Sequence, residues 1–137
     1  MTRFWIDLPS SFKLVLFALE HMEGGEIVVP KIPSMRLADL FTALAPKAKR
    51  KTIGIRAGEK LHEMLLTKEE SRRAVSFQDY FIILPEDGET FDVKKRFAKL
   101  LKIGKTLPAG FHYTSNENSE WLTEREFKSL VKDFSIA

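Results

Sequence analysis

The chain has no cysteine, which excludes disulfides, thiolate nucleophiles and cysteine-based zinc sites and leaves its redox compartment unmarked. Its three histidines, His21, His62 and His112, carry no ligand spacing. His62-Glu63 has no second histidine four residues on, so no metal site is expected. None of the seven glycines builds Gly-x-Gly-x-x-Gly, because Gly24-Gly25 and Gly54 to Gly58 are wrongly spaced. The turn that delivers a dinucleotide pyrophosphate to a helix N-terminus is therefore missing. A Tyr-x-x-x-Lys pair, which sets a phenol and an ammonium on one helix face for proton transfer, is missing too: Leu84 stands four residues after Tyr80, and Glu117 four after Tyr113. The longest strongly apolar run, residues 14–19, is too short to span a bilayer, and residues 1–4 lack the apolar core of a signal peptide. No membrane contact is expected, and a cytoplasmic setting is the simplest inference.

What is present is 137 residues, 44% hydrophobic and 30% charged, enough for one modest domain or a piece of a larger one. A net charge of +3 and a pI near 9.2 tolerate a phosphate ligand but fall short of the dense basic stripe of a nucleic-acid binder. The pattern reads as mixed helix and strand, an α+β chain. A strand over residues 1–6 precedes a helix from Asp7-Leu8-Pro9 to about Glu23, with Phe12, Val15, Leu16, Leu19 and Met22 on one face, read as a core-packing helix stopped by Gly24-Gly25. A strand over residues 26–29 closes at Pro30. Ser34 reads as the N-cap of a helix from Met35 to about Ala45. Strands are expected over residues 51–55, 61–67 and 75–84. Thr67/Glu70 and Thr123/Glu126 have capping-box spacing, and Leu122 and Phe127 that of a hydrophobic staple, with Phe134 continuing the face of a terminal helix docked through Trp121. Asp92 caps a basic amphipathic helix over residues 92–102 in which Phe91 and Phe97 are apolar, and residues 85–88 mark a boundary before it. The Lys47 to Lys51 cluster is read as a solvated loop that suits a helix C-terminus rather than as a nucleic-acid patch.

The stretch around which the rest is organised is Ile53-Gly54-Ile55-Arg56-Ala57-Gly58-Glu59-Lys60-Leu61-His62-Glu63. On spacing alone, Arg56 and Glu59 read first as a surface hairpin pair, since surface ion pairs are common and cheap. The other reading is chemical. Arg presents a planar fork suited to a diphosphate, and a carboxylate three residues on can accept from ribose hydroxyls, with Gly58 letting the backbone turn between them.

This stretch resembles the signature of the bacterial UDP-N-acetylglucosamine 4,6-dehydratase (inverting) family, extended short-chain dehydrogenase/reductases of surface polysaccharide and flagellin-glycan synthesis. Met1-Thr2-Arg3-Phe4-Trp5-Ile6, residues 24–35, residues 77–83 and residues 113–122 resemble the family in the same order, so nearly the whole chain is covered. Ala57 departs from the family's usual Pro, which should loosen the corner without removing a contact group. The resemblance reaches only the family's C-terminal part. It implies a substrate-binding lobe without the Rossmann half, with residues 1–85 as the nucleotide-sugar lobe and 86–137 as a helical tail packing on it. It also implies UDP-sugar as ligand, Arg3, Arg56 and Glu59 as its contacts, and no catalytic residue in the chain. NADP belongs to the full-length family and not to this chain, which is then inactive alone, as in a truncated reading frame, a split gene or an excised piece. Homo-oligomers are a further family property. The first strand and helix would pack against the absent lobe, leaving Trp5 and part of the Phe12/Val15/Leu19 face without partners. Arg3 alone also reads as a strand-end surface residue, and nothing in the spacing of Lys31 and Arg36 demands ligand contact. The alternative function is a stand-alone interaction module whose basic helix 92–102 binds an acidic partner or nucleic acid.

Overall fold

The computed structural model describes residues 1–86 and 92–132. The expected boundary at residues 85–88 falls partly outside them, and Phe91 and Phe134 wholly so. Among the described residues the elements run β1 (Thr2–Phe4), α1 (Leu8–His21), β2 (Ile27–Pro30), β3 (Ser34–Arg36), α2 (Leu37–Leu44), β4 (Met64–Leu66), α3 (Lys68–Ser71), β5 (Ala74–Ser76), β6 (Tyr80–Ile83), α4 (Val93–Arg96), α5 (Ala98–Ile103), β7 (Lys105–Thr106), β8 (Tyr113–Thr114) and α6 (Glu124–Lys132). Helix and sheet are thus mixed along the chain. They gather into two compact units, one of residues 1–7, 32–63 and 114–137, the other of 8–31 and 64–113. This division follows packing. The expected division, a compact lobe to residue 85 and a tail packing on it, differs from this one and is taken up below.

In the first unit β1 pairs antiparallel with β3, Arg3 opposite Met35. Ser34 does not cap a helix. It is fully buried in β3, its amide donating to Glu120 O and its carbonyl accepting from Leu122 N, and α2 starts three residues later after Arg36, which makes no side-chain cap. The Asn118 amide, donating to Ile32 O at 2.8 Å and Ser34 Oγ at 3.0 Å, claims the serine for long-range packing instead. α6 opens on the expected capping box, the Thr123 amide and hydroxyl both donating to the Glu126 carboxylate. Those bonds hold the Glu126 carboxyl below its ordinary range. The helix docks through Phe127, 1% exposed against Met35 and Ala43, with Trp5 edge-on at 4.6 Å. Trp121, expected to carry that docking, is partly exposed, its indole N–H donating to Asn118 O. Trp5 has a partner after all.

In the second unit the sheet order is β2-β6-β5-β7, antiparallel throughout. The strand expected over 75–84 is a hairpin, β5 and β6, closed by Phe77 N donating to Tyr80 O. A uniform β-prone run hides a turn that contains neither glycine nor proline. Val75, Ile82, Leu84 and Phe97 make the core. The helix expected over 92–102 is two short ones that meet at Phe97 (φ −101°, ψ 20°), whose ring is 1% exposed. Asp92 caps the first, accepting from Lys95 N. α1 contradicts its reading as a core-packing helix: none of its residues is buried, and Leu8, Phe12 and Leu19 are 73%, 62% and 77% exposed. It is held from the other side, where Phe17 stacks on Tyr80 at 4.5 Å. Past its end Gly24 and Gly25 take φ of +110° and +92°, and the buried Glu26 carboxylate accepts the amides of Glu23 and Gly24.

Candidate functional site

Residues 45–63 of the first unit carry the corner. The strand expected over 51–55 does not form, and that expected over 61–67 is reduced to β4. A strand needs a neighbour to take its backbone groups, and residues 51–55 have none among the described residues, so Ile53 and Ile55 stand exposed. The corner itself is present as a β-turn. Glu59 N donates to Arg56 O at 3.0 Å and Gly58 has φ of +80°, the left-handed value that a type II turn needs at its third residue. Glu59 is not paired with the Arg56 guanidinium, as the surface-pair reading requires. Its carboxylate instead accepts the Arg56 amide at 3.0 Å, closing the turn a second time. The Arg56 side chain has no hydrogen bond or ion pair among the described residues and lies exposed.

What fastens this turn to the unit is a polar cluster that sequence reasoning missed. Arg3, on β1, donates through Nη2 to Lys60 O at 3.0 Å and through Nη1 to Thr2 O at 2.7 Å, and its Nε lies 3.5 Å from Glu63 Oε1. Glu63 Oε2 accepts the Phe4 amide at 2.8 Å, and Leu61 O accepts the Thr2 amide. Buried Thr2 and Ser115 join hydroxyls at 2.7 Å. Thr2 Oγ1 also meets His62 Nδ1 at 2.8 Å, and Ser115 Oγ accepts the Glu63 amide at 2.9 Å. The chain leaving the turn is thereby locked to β1 within four residues of Glu59. Arg3 spends its donors on carbonyls, so it positions the turn, while Arg56 is the free fork. Of the three sequence candidates, Arg56 and Glu59 share one turn and Arg3 grips the residue that follows it. The only forward signal for the cluster was the run His62-Glu63, since its other members lie 52 to 60 residues from the groups they meet there. Lys31, in the second unit, is engaged by Ser76 Oγ and lies over the Phe81 ring, and Arg36 lies over the Trp121 ring at 5.7 Å.

The residues present do not fit a dinucleotide. Among the described residues the glycines with positive φ lie past α1, within the 45–63 loop and at Gly110, none of them in a turn that feeds a strand into a helix N-terminus. No group of side chains among the described residues is arranged to hold a metal ion.

Residues 1–85 match the model of the polysaccharide biosynthesis protein family. The chain belongs to this family. It is 42% identical over 133 residues to a UDP-N-acetylglucosamine 4,6-dehydratase (inverting) of Campylobacter jejuni, covering 96% of this chain and 40% of that protein, in a C-terminal part. It is 38% identical over 135 residues to a UDP-glucose 4-epimerase of Rickettsia canadensis, covering 96% of this chain and 38% of the other. Among solved structures it is similar to Pen from Bacillus thuringiensis, with a TM-score of 0.73 and 25% identity, over 97% of this chain and 37% of that one. The chain thus spans about two fifths of the length of the curated relatives it matches. The two curated relatives and the solved structure each align over 96–97% of this chain, beyond the 85 residues of the family match.

Proposed function

We propose that this polysaccharide biosynthesis chain is the nucleotide-sugar-binding portion of a UDP-sugar dehydratase of the short-chain dehydrogenase/reductase type, with residues 1–85 as the binding lobe and 86–137 as a tail packed on it. The observation that carries the reading is the exposed, uncommitted guanidinium of Arg56, held on a turn closed twice by Glu59 and anchored by Arg3. A planar fork on a rigid mount loses little conformational entropy when it grips a diphosphate. In this reading Arg56 binds the diphosphate, Glu59 shapes the turn and faces the ribose, and Arg3 fixes the register of both. Hydride transfer and proton transfer at the sugar belong to the N-terminal part that the relatives possess, which also supplies the NADP site; this chain alone turns nothing over. The setting is cytoplasmic and the working assembly a homo-oligomer.

The test is calorimetric titration of the chain with UDP, UDP-N-acetylglucosamine and free N-acetylglucosamine. Both nucleotides should bind and the free sugar should not. Because Arg56 is exposed, Arg56→Ala should cost about 1.5–3 kcal/mol, the range of a hydrogen bond to a charged group, and Arg56→Lys should restore part of it. Nucleotide affinity that is the same in both variants as in the parent removes Arg56 from the site. No observation favours the interaction-module reading, since its basic helix is two short pieces and Arg96 there is committed to the Glu23 carbonyl.

A further inference from the structure

The cluster behind the turn contains a hydrogen-bonded chain whose direction follows from counting its protons. The Glu63 amide donates to Ser115 Oγ at 2.9 Å, Ser115 Oγ meets Thr2 Oγ1 at 2.7 Å, and Thr2 Oγ1 meets His62 Nδ1 at 2.8 Å. Three contacts take three protons. The amide and the two hydroxyls supply them all, so His62 Nδ1 is the bare acceptor at the end, and each hydroxyl accepts from one neighbour while donating to the next. A proton on Nδ1, whether from the other tautomer or from protonation of the ring, makes four donors for the same three contacts. One hydroxyl proton is then stranded, because neither Thr2 Oγ1 nor Ser115 Oγ has another partner among the described residues, and Thr2 is 6% and Ser115 0% exposed. A buried donor without an acceptor is costly. The proton of the neutral ring therefore sits on Nε2, and at this exposed residue water can accept it.

We propose that His62 is a positioning residue: as a neutral imidazole protonated on Nε2 it ends this chain and holds the segment that carries Arg56 against β1, and a second proton on the ring releases that hold. The two hydroxyls are buried within this chain, so the arrangement is complete without the part of the relatives that lies outside the match. The charged groups on the elements that meet at His62 are Arg3 and the Met1 amino group on the β1 side, Lys60 and Glu63 beside it, and Glu117 past β8. The Glu63 carboxylate is engaged by the Phe4 amide at 2.8 Å and by Arg3 Nε at 3.5 Å, and among the described residues no carboxylate pairs with the His62 ring. An imidazolium there strands a hydroxyl and gains no counter-ion in return. Acid therefore loosens the tie between His62-Glu63 and β1, and with it the mount of the Arg56 fork. Only the effect on ligand affinity rests on the nucleotide reading; the tautomer and the tie do not.

Long-range proton–nitrogen correlation spectra read the tautomer directly, and at about pH 8 they should show His62 with a bare Nδ1 and a protonated Nε2. Asparagine is the conservative replacement, because its Oδ1 falls near the place of Nδ1 and accepts the Thr2 hydroxyl but takes no proton in this range; alanine removes the acceptor altogether. Between about pH 8 and pH 5.5, above the range in which most carboxylates titrate, protection of the Glu63 amide, corrected for its intrinsic exchange rate, should fall about fivefold or more in the parent. It should stay level in His62→Asn and be low throughout in His62→Ala. Affinity for UDP-N-acetylglucosamine, whose esterified diphosphate keeps its charge across that range, should follow the same order. His21, His112 and the Met1 amino group are common to all three proteins, so the differences belong to His62. A protonated Nδ1 at about pH 8, a His62→Asn protein as acid-sensitive as the parent, or Glu63 protection indifferent to His62→Ala would overturn the proposal. A parent with the expected tautomer and exchange that binds no nucleotide at any pH would uphold the positioning role and remove the nucleotide reading instead.

Discussion

Removing the Ser115 hydroxyl tests whether the polar cluster, rather than the turn's own bonds, holds the 56–63 segment in place. Ser115 is fully buried, accepts the Glu63 amide at 2.9 Å and shares a hydrogen bond of 2.7 Å with Thr2. In Ser115→Ala the Thr2 hydroxyl keeps His62, but the Glu63 amide loses its acceptor in a place where water does not easily replace it. An unsatisfied buried donor costs about 1–3 kcal/mol, and that range is the expected loss. Both tryptophans, Trp5 and Trp121, lie in the same unit as Ser115, so urea unfolding followed by their fluorescence reads that unit. The exposed Ser119→Ala should stay within about 0.5 kcal/mol of the parent and serves as the control. Hydrogen exchange adds the local view, since the Glu63 and Phe4 amides should open faster while amides of β5 and β6, in the other unit, keep their rates. A Ser115→Ala protein as stable as Ser119→Ala, with unchanged exchange at Glu63, would show that the turn stands without the cluster and that Arg3 does not position it.

Phe127→Ala empties the best-buried aromatic site between α2 and α6 and should cost about 3–5 kcal/mol by urea unfolding; a loss under about 1 kcal/mol would mean that α6 is not docked there. Ala57→Pro places proline at the second position of the type II turn, where its fixed φ suits the backbone, and should raise stability by about 0.4–1 kcal/mol; a loss would show that the turn is of another type. The hydrogen bonds from the Thr67 amide, then its hydroxyl, hold the Glu70 carboxyl below its ordinary range. A depressed carboxyl stabilises the fold above its unfolded value and loses that contribution as the pH falls through the folded one. Protection of the α3 amides should therefore weaken only in acid below the usual glutamate range; Thr67→Ala, which keeps the amide and loses only the hydroxyl, should reduce that dependence and Glu70→Gln should abolish it, and an unchanged profile in Glu70→Gln would assign it to another group.

Local interactions were legible in the sequence and distant ones were not. The Thr67/Glu70 and Thr123/Glu126 boxes and the turn at Gly58 close over three residues, so their spacing states them outright. Ser34 presents the same chemistry as a helix cap, and only the arrival of Asn118 and Glu120 from far along the chain decides against it. The hairpin inside residues 74–83 escaped because its turn has neither glycine nor proline. Residues 51–55 have strand propensity, but propensity describes a surface waiting for a neighbour, and none stands beside them. At the candidate site the fork and its turn were readable, whereas Thr2 and Ser115, 113 positions apart, carry nothing that announces them. The α1 stripe was legible as apolar; its exposure goes against the core-packing reading and agrees with the expectation that part of the Phe12/Val15/Leu19 face lacks partners, since periodicity reports which side is greasy and not what covers it.

The interleaving of the two units has a consequence for synthesis. Residues 8–31 and 64–113 contain every part of the second unit, whereas the first must join the opening residues to a stretch that begins at 114. On the ribosome, β1 emerges 113 residues ahead of Ser115, and further still ahead of Glu120 and Phe127. Its closing contacts therefore reach across as many as 113 positions or more, and such distant closures are the slow ones. A nascent chain halted near residue 113 holds a complete second unit and a first unit with no Phe127 to fill its core. A stop codon there should leave Trp5 and Met35 without the Phe127 ring that covers them and mark the product for proteolysis, although the second unit is complete.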